Sequence, residues 1–520
     1  MMTRTTRIAA LTTLVATAAI ALPGAASAAD GPCYAPPEKP DVVAHVNYQG
    51  VQSKLFCYGP VTIKPGQNTI SFDSTKLVPG EDGYMTRFDP DLIYADPSKG
   101  TDGVPGVDRL HLHHAVWLPT GTLDPIWAAG EEKSVIQLPE GFGWRTRKSD
   151  SVIVNHMIHN LYPTTEKVYL TWKVDFVPDT SPAAASIKTV RTLWMDAAGI
   201  KAYPVFDAKR GMGSRGSYTF PDQTTNPVER AKIGGRASYR APRDMTLVQT
   251  VGHLHPGGTK TNLSVVRSST RKSLFDSIAQ YWEPAGAVSW DVAMTATPAD
   301  WRVKVKKDDV LKVSGTYDVA KASWYESMAI MPVAVYEGPD DIGGVDPFVT
   351  DPPKTGEITH GHLAENDNHG GQTVTLNDLT KTWKYPNARK SSGTTVGIKD
   401  FVYKYGDMSA TGKAARPPTI RPGQTLRFFN YDSTGNPNTD YIFHTVTACA
   451  APCNKNTGIA YPLANGPVDF DSGELGFGPA YATPTAQRQT WTTPKSLRSG
   501  TYTYFCRVHP YMRGAFRVAR

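Results

Sequence analysis

Gly500-Thr-Tyr-Thr-Tyr-Phe-Cys506-Arg-Val-His509-Pro-Tyr-Met512-Arg-Gly514 is the stretch from which the rest of the chain is best read. Side chains alternate along a strand, so Tyr502, Tyr504 and Cys506 share one face while Thr501, Thr503 and Phe505 take the other. The strand delivers a thiol to its own end, and His509 and Met512 follow on a short loop. Upstream, Phe443-His444-Thr445-Val446-Thr447 offers a second imidazole from another strand. One thiolate, two imidazoles and a weak thioether are the ligand set of a blue, type 1 copper electron-transfer site. Soft sulfur suits Cu(I), nitrogen suits Cu(II), and a fixed compromise geometry lets an electron pass with little rearrangement. The expected ligands are therefore His444, Cys506, His509 and Met512.

The cysteine count points the same way, because five is odd. Cys33 with Cys57, and Cys449 with Cys453, are plausible disulfides in an oxidising compartment, which leaves Cys506 over. The start of the chain explains the compartment. Arg4 and Arg7 precede an apolar run from Ile8 to Leu22, and Ala26-Ser27-Ala28 is a small-residue cleavage site, so residues 1–28 read as a signal peptide. That run is too short to span a bilayer, and no other segment is long and apolar enough. The expectation is a secreted, extracellular protein. Loss of Arg4 and Arg7 lowers the formal charge from +7 to +5. Without a dense Lys/Arg run, no nucleic-acid partner is expected.

From about Thr394 to Arg520 the chain resembles a plastocyanin- or amicyanin-type cupredoxin. Its opening strands would be Val396–Val402 and Thr425–Asn430, and Cys506-Arg-Val-His-Pro-Tyr-Met512 is similar to the tight amicyanin loop. An insertion from about Cys449 to Gly478 departs from that pattern and alters the surface on which a partner would dock.

The preceding residues, from about 30 to 340, alternate repeatedly with period two. In Val168-Tyr-Leu-Thr-Trp-Lys-Val-Asp-Phe176 the positions 168, 170, 172, 174 and 176 form one apolar face, while Thr171, Lys173 and Asp175 point away, which predicts a half-buried strand. Similar runs lie at Ser151–Val154, Leu247–Val251, Val303–Val305 and Ala329–Tyr336. No long helical period interrupts them. About 490 residues remain after the leader, too many for one core. An all-β chain is expected, with N-terminal sandwiches over 29–185 and 186–340, a linker over 341–385 and a cupredoxin sandwich over 386–520. His360, His362 and His369 fall in the linker and read as a solvated loop or as an additional copper-binding cluster.

Besides His45, the remaining histidines are grouped: His111, His113 and His114; His156 and His159; His253 and His255. Their order resembles the ascorbate-dependent copper monooxygenases, peptidylglycine α-hydroxylating and dopamine β-monooxygenase. In that family an adjacent His-His pair and a later His hold one copper, while His-x-His and a distant Met hold the copper that activates oxygen. The resemblance implies two tandem β-sandwiches and two type 2 coppers, one at His113, His114 and His159 and one at His253, His255 and Met328. It covers about 230 residues, Leu110 to Tyr336. Several choices stay open. His111 and His113 are also two apart, His156 competes with His159, and Met331 with Met328. Adjacent strand residues face opposite ways, so His113 and His114 can share an ion only at a bulge or strand end.

The peptide-amidating members carry an arginine two residues before His-x-His and a tyrosine four after the methionine. Here those positions are Val251 and Pro332, so a glycine-extended peptide is not the expected substrate. The implied activity is copper-dependent hydroxylation of an unidentified small molecule or peptide by dioxygen. Catalysis would fall to His253, His255 and Met328, with electrons from an external donor or ascorbate relayed by the fused type 1 copper. A non-enzymatic copper-binding, electron-transfer protein is the alternative. Phe505 and Arg507 beside Cys506 replace the histidines that wire a multicopper oxidase. Cleavage after Ala28 would expose Ala29 rather than the histidine of a polysaccharide monooxygenase.

Overall fold

The computed structural model describes residues 33–520 apart from 38–42, 44, 65–66, 77, 101, 107–108, 123, 131–133, 161–163, 200–204, 282–291, 321–322, 360–394, 409–415, 434–441, 450–467, 478–487 and 510–511. The expected signal peptide, His360, His362, His369 and Cys453 lie outside the described residues. The protein is all-β, with only a single 3-10 turn at Pro182–Ser186 and one helical turn at Pro227–Arg230 among the described residues. No described helix is long and apolar enough to cross a membrane.

In the first sandwich, strands Asn68–Thr75, Val152–Asn160, Leu110–Pro119 and Trp127–Ala129 form one sheet, in that order. Opposite lie Gln52–Ile63, Glu166–Pro178, Gly83–Tyr94 and Phe142–Thr146. Between them, Trp117 meets Trp172 edge-on at 5.3 Å and Phe88 at 4.8 Å. Each fully buried indole removes roughly 200 Å² from water, worth about 5 kcal/mol by area.

Phe142–Thr146 then pairs in parallel with Lys188–Asp196, so the sheet continues without a break into the second sandwich. There it gains Ala329–Tyr336, Met245–Thr250 and Val303–Val305. A seven-stranded sheet that includes Gly258–Arg267, Thr270–Gln280 and Val310–Asp318 covers the other side. This sandwich continues past residue 340. Phe348 packs on its core, Arg267 holds Asp346 at 2.9 Å, and Glu357–Ile358 pairs with Ala293–Ala296.

The C-terminal sandwich packs Val402–Tyr403, Thr395–Lys399, Arg427–Asn430 and Thr490–Thr492 against a five-stranded sheet. That sheet runs Thr419–Ile420, Arg513–Val518, Gly500–Phe505, Thr447–Cys449, Val468–Asp471. Its core is aromatic, with Tyr403, Phe428, Tyr504 and Phe516 in mutual edge contact or tilted.

One expectation fails in an informative way. The Glu166–Pro178 strand is covered on both faces, since Thr171 and Asp175 are buried beside the apolar set. Near Asp175 the cover is the N-terminal segment: His45 Nε2 lies 2.5 Å from the Asp175 carboxylate. Close by, Tyr34 and the Cys33–Cys57 disulfide pack against Ile93, Val104 and Tyr169. The disulfide ties this cover to the sheet across 24 residues, and the loop-entropy model values that closure at about 3 kcal/mol. Cys57→Ser is therefore expected to lower thermal stability and to open the 33–48 segment to limited proteolysis. Unchanged melting and cleavage would contradict the role assigned to that cover.

Candidate copper centres

Cys506 sits at the end of Gly500–Phe505, where its backbone N–H donates to Met512 O at 3.1 Å and Met512 N–H donates to His509 O at 2.8 Å. This short closed loop folds His509 back over the cysteine. His444, on a bridge to Leu475, comes from the neighbouring strand connection. Cys506 Sγ lies 3.8 Å from His444 Nδ1 and 3.8 Å from His509 Nδ1, and the two nitrogens are 3.2 Å apart. A triangle with those sides has its equidistant point about 2.1 Å from each corner, the length of an ordinary metal–imidazole bond. All three residues are buried, and Met512 packs in the same cluster as Cys506. The donor set fits copper.

The surroundings prepare these atoms. Burial pushes the Cys506 thiol up, but the two imidazoles facing the sulfur outweigh it and bring it down to about 5. Thr445 and His509 backbone N–H groups add donors to the sulfur at 3.3 and 3.4 Å. His444 Nε2 donates to Asp432 at 2.9 Å, which fixes the tautomer and leaves Nδ1 for the metal. Burial would lower that imidazole, yet Asp432 and Cys506 raise it to about 9. Asp432 also accepts from the Asp400 and Phe401 backbone at 2.6 and 3.0 Å, holding both in left-handed conformations. The Phe401 ring thereby lies 5.4 Å from His444 and 5.1 Å from His509, edge-on to both. Nothing in the sequence singled out Asp432 or Phe401.

The other histidine groups meet where the two N-terminal sandwiches face each other. His111 is the register partner of His159, and a bulge falls between Leu112 and His114. That bulge puts His113 and His114 on the same outward face as His111. His111 and His159 ring centroids are 5.1 Å apart, His111 and His113 6.1 Å, and His113 and His159 6.2 Å. His113 also lies 4.4 Å from His255 and 5.6 Å from His114. His156, on the opposite face of its strand from His159, packs edge-on against Tyr58. Burial, then the neighbouring imidazoles, drive His113, His159 and His255 well below the usual histidine range, and His114 down to about 3. These rings are neutral at physiological pH, the state that binds metal.

His114, His253 and Met328 line a cavity of about 150 Å³ between the sandwiches. The rest of its wall is largely apolar, including Val251 and Pro332, with Asp196 as its carboxylate. Gly130 is required there, because a Cβ would come within 2.2 Å of His253 Nδ1. His253 and His255 rings are 5.1 Å apart. His255 Nδ1 is hydrogen-bonded to the Glu326 carbonyl, which Glu326 presents from a left-handed backbone with φ 55°. The buried Tyr317 hydroxyl donates to Met328 O at 2.7 Å and accepts from Met328 N at 3.0 Å and His255 N at 3.2 Å. It ties the two segments together, and sequence gave no signal for it. Met331 points elsewhere, into the second-sandwich core.

The copper loop of the C-terminal domain docks onto this region. The His509 ring lies 5.9 Å from that of His159. Phe505 enters the second-sandwich core, and Arg507 lies over Trp324 and Tyr325 at 5.3 and 5.2 Å.

No protein-family model matches the chain, and no curated protein does. Among solved structures, a proline-to-alanine mutant of amicyanin in the oxidized state is similar at 18% identity over 24% of this chain and 80% of that one, with TM-score 0.15. A methionine-to-glutamine amicyanin mutant in the Cu(I) state gives 18%, the same coverage and TM-score 0.14. A copper-containing nitrite reductase from Thermus scotoductus SA-01 is 12% identical over 54% of this chain and 59% of that one, with TM-score 0.15. At these TM-scores the likeness carries no argument, and the reading rests on the donor geometry above.

Asp432→Asn should weaken copper binding at Cys506 about 10- to 100-fold in a competition titration, because the partner that orients His444 is lost. An unchanged affinity would remove Asp432 from the site. Tyr317→Phe leaves the buried N–H groups of His255 and Met328 without their acceptor, which should cost about 3 kcal/mol. A melting temperature equal to that of the parent would contradict this.

Proposed function

We propose that the chain is an exported copper-dependent monooxygenase that carries its own electron-transfer domain. The single observation behind this reading is the apposition of His509 to His159 on one side of a histidine array whose other side, at His114, His253 and Met328, opens on an apolar cavity. Copper, when bound, supplies one-electron redox chemistry and a place for dioxygen. Overall, a substrate C–H bond, dioxygen, two electrons and two protons become an alcohol and one water. His253, His255 and Met328 would hold the ion at the cavity, with the backbones of His255 and Met328 fixed by Tyr317. The electrons would enter through the Cys506 site from an external donor such as ascorbate.

The cavity wall narrows the substrate. Among the described residues its lining holds no lysine or arginine, and Val251 and Pro332 form part of it. A volume near 150 Å³ with apolar walls is about that of a cavity that holds benzene. The substrate class that fits is a small, largely apolar molecule without an anionic group.

The copper-loaded protein, given ascorbate, dioxygen and a panel of small aromatic and aliphatic compounds, should transfer one labelled oxygen atom into product. Met328→Ala should abolish that turnover while the blue absorption of the Cys506 site stays. Full turnover in Met328→Ala would remove Met328 from the reaction. A second reading, a non-enzymatic copper and electron carrier, is favoured by the scarcity of polar substrate contacts in the cavity. It predicts reversible blue-copper cycling without oxygen consumption.

A further inference from the structure

We infer that the cavity at His114, His253 and Met328 is reached through a passage between the two N-terminal sandwiches. It opens beside Ala299 and Glu357, is narrowed by Ile136, Val251 and Thr359, and admits small uncharged molecules. The inference goes beyond the proposed reaction and stands whether or not the cavity hydroxylates a substrate.

Shared walls carry the first part. A second cavity, of about 70 Å³, lies between Val43 and Val46 of the N-terminal segment and Ala296 and Thr297 of the second sandwich. A third, of about 30 Å³, lies beside Trp127 and Trp144. Ile136 and Val251 line all three cavities, and Thr359 lines the first and second. Voids that share these side chains meet at them.

Exposure gives the direction. No described residue in the wall of the 150 Å³ cavity is exposed, whereas the wall of the second cavity includes exposed Ala299 and Glu357. Among the described residues, the way from solvent to Met328 therefore leads through the second cavity and past Ile136 and Val251.

The narrow point has a defined chemistry. Ile136 packs on the core of the first sandwich and Val251 on that of the second, so each sandwich contributes one side of it. Thr359 joins them: its carbonyl accepts from Val135 N–H at 2.9 Å, and its hydroxyl donates to Met294 O at 3.2 Å. All three residues are β-branched and stiff at χ1, so the width of the gap follows residue identity more than side-chain rotation. An ion passing Ile136 and Val251 would shed its water and gain no partner, which is strongly unfavourable. The Glu357 carboxylate at the mouth repels anions in addition. A neutral molecule the size of dioxygen meets neither obstacle.

The test reads access rather than turnover, in the full copper-loaded chain. Val292, which is buried and lines the first cavity alone of the three, is replaced in Val292→Cys, and labelling of the new thiol is followed by mass spectrometry. The parent chain gives the background from its own cysteines. Methyl methanethiosulfonate, small and uncharged, should label Val292→Cys. The anionic sulfonatoethyl reagent should react at least about tenfold more slowly, each rate being referred to the unfolded chain. Adding Val251→Trp or Ile136→Phe should slow the uncharged reagent by about tenfold. Misfolding would speed labelling, so it cannot imitate this result. The inference fails if neither addition slows the uncharged reagent, if the anion reacts as fast, or if Val292→Cys is not labelled at all. No readout depends on oxygen consumption, so this inference and the proposed reaction fail separately.

Discussion

The buried guanidinium of Arg507 holds the copper loop against the rest of the molecule. It sits between Cys506 and His509 in sequence, pairs with Asp471 at 2.7 Å, donates to the Ser323 carbonyl and covers the rings of Trp324 and Tyr325. A charge removed from water needs such partners, because an unpaired buried ion costs several kcal/mol. The same contacts fix where the loop can lie. With Arg507 satisfied and Phe505 in the second-sandwich core, His509 comes to rest beside His159. Trp324 and Tyr325 belong to the strand that leads into Met328. One seam therefore positions Cys506 and His509, the histidine array and the cavity wall relative to one another.

Within the array, the arrangement follows from burying like groups together. Burial first, and neighbouring imidazoles second, lower the basicity of His113 and His255, so these rings stay neutral. The Cys506 site uses the opposite device. Against burial, a carboxylate on the far side of His444 and the sulfur on the near side raise that imidazole, while His444 and His509 depress the thiol. The array thus gathers neutral imidazoles alone, whereas the Cys506 site sets a thiolate between two imidazoles.

Local spacing was legible in the sequence. Cys506, His509 and Met512 lie within seven residues on one strand end and its loop, so their convergence follows from strand geometry, and the leftover cysteine marked the site. The Cys33–Cys57 bridge and the apolar face of Val168–Phe176 were readable for the same reason. Long-range placement was not. Whether His113 and His114 face the same way depends on a bulge that no residue type announces. Asp432 and Tyr317 act through contacts 12 and 62 residues or less away in sequence, and their neighbours gave no pattern. The second face of the Glu166–Pro178 strand was misjudged because its cover arrives from the far N-terminal segment, and Asp175 looked like a solvent-facing residue.

The most direct measurement is fast one-electron reduction of the fully copper-loaded chain, following the blue absorption and the type 2 resonance together. The account predicts that the reduced Cys506 centre regains its colour as the type 2 signal disappears, at a rate independent of protein concentration. A reduced blue centre that persists beside an unchanged type 2 signal, or a recovery that scales with protein concentration, would contradict it.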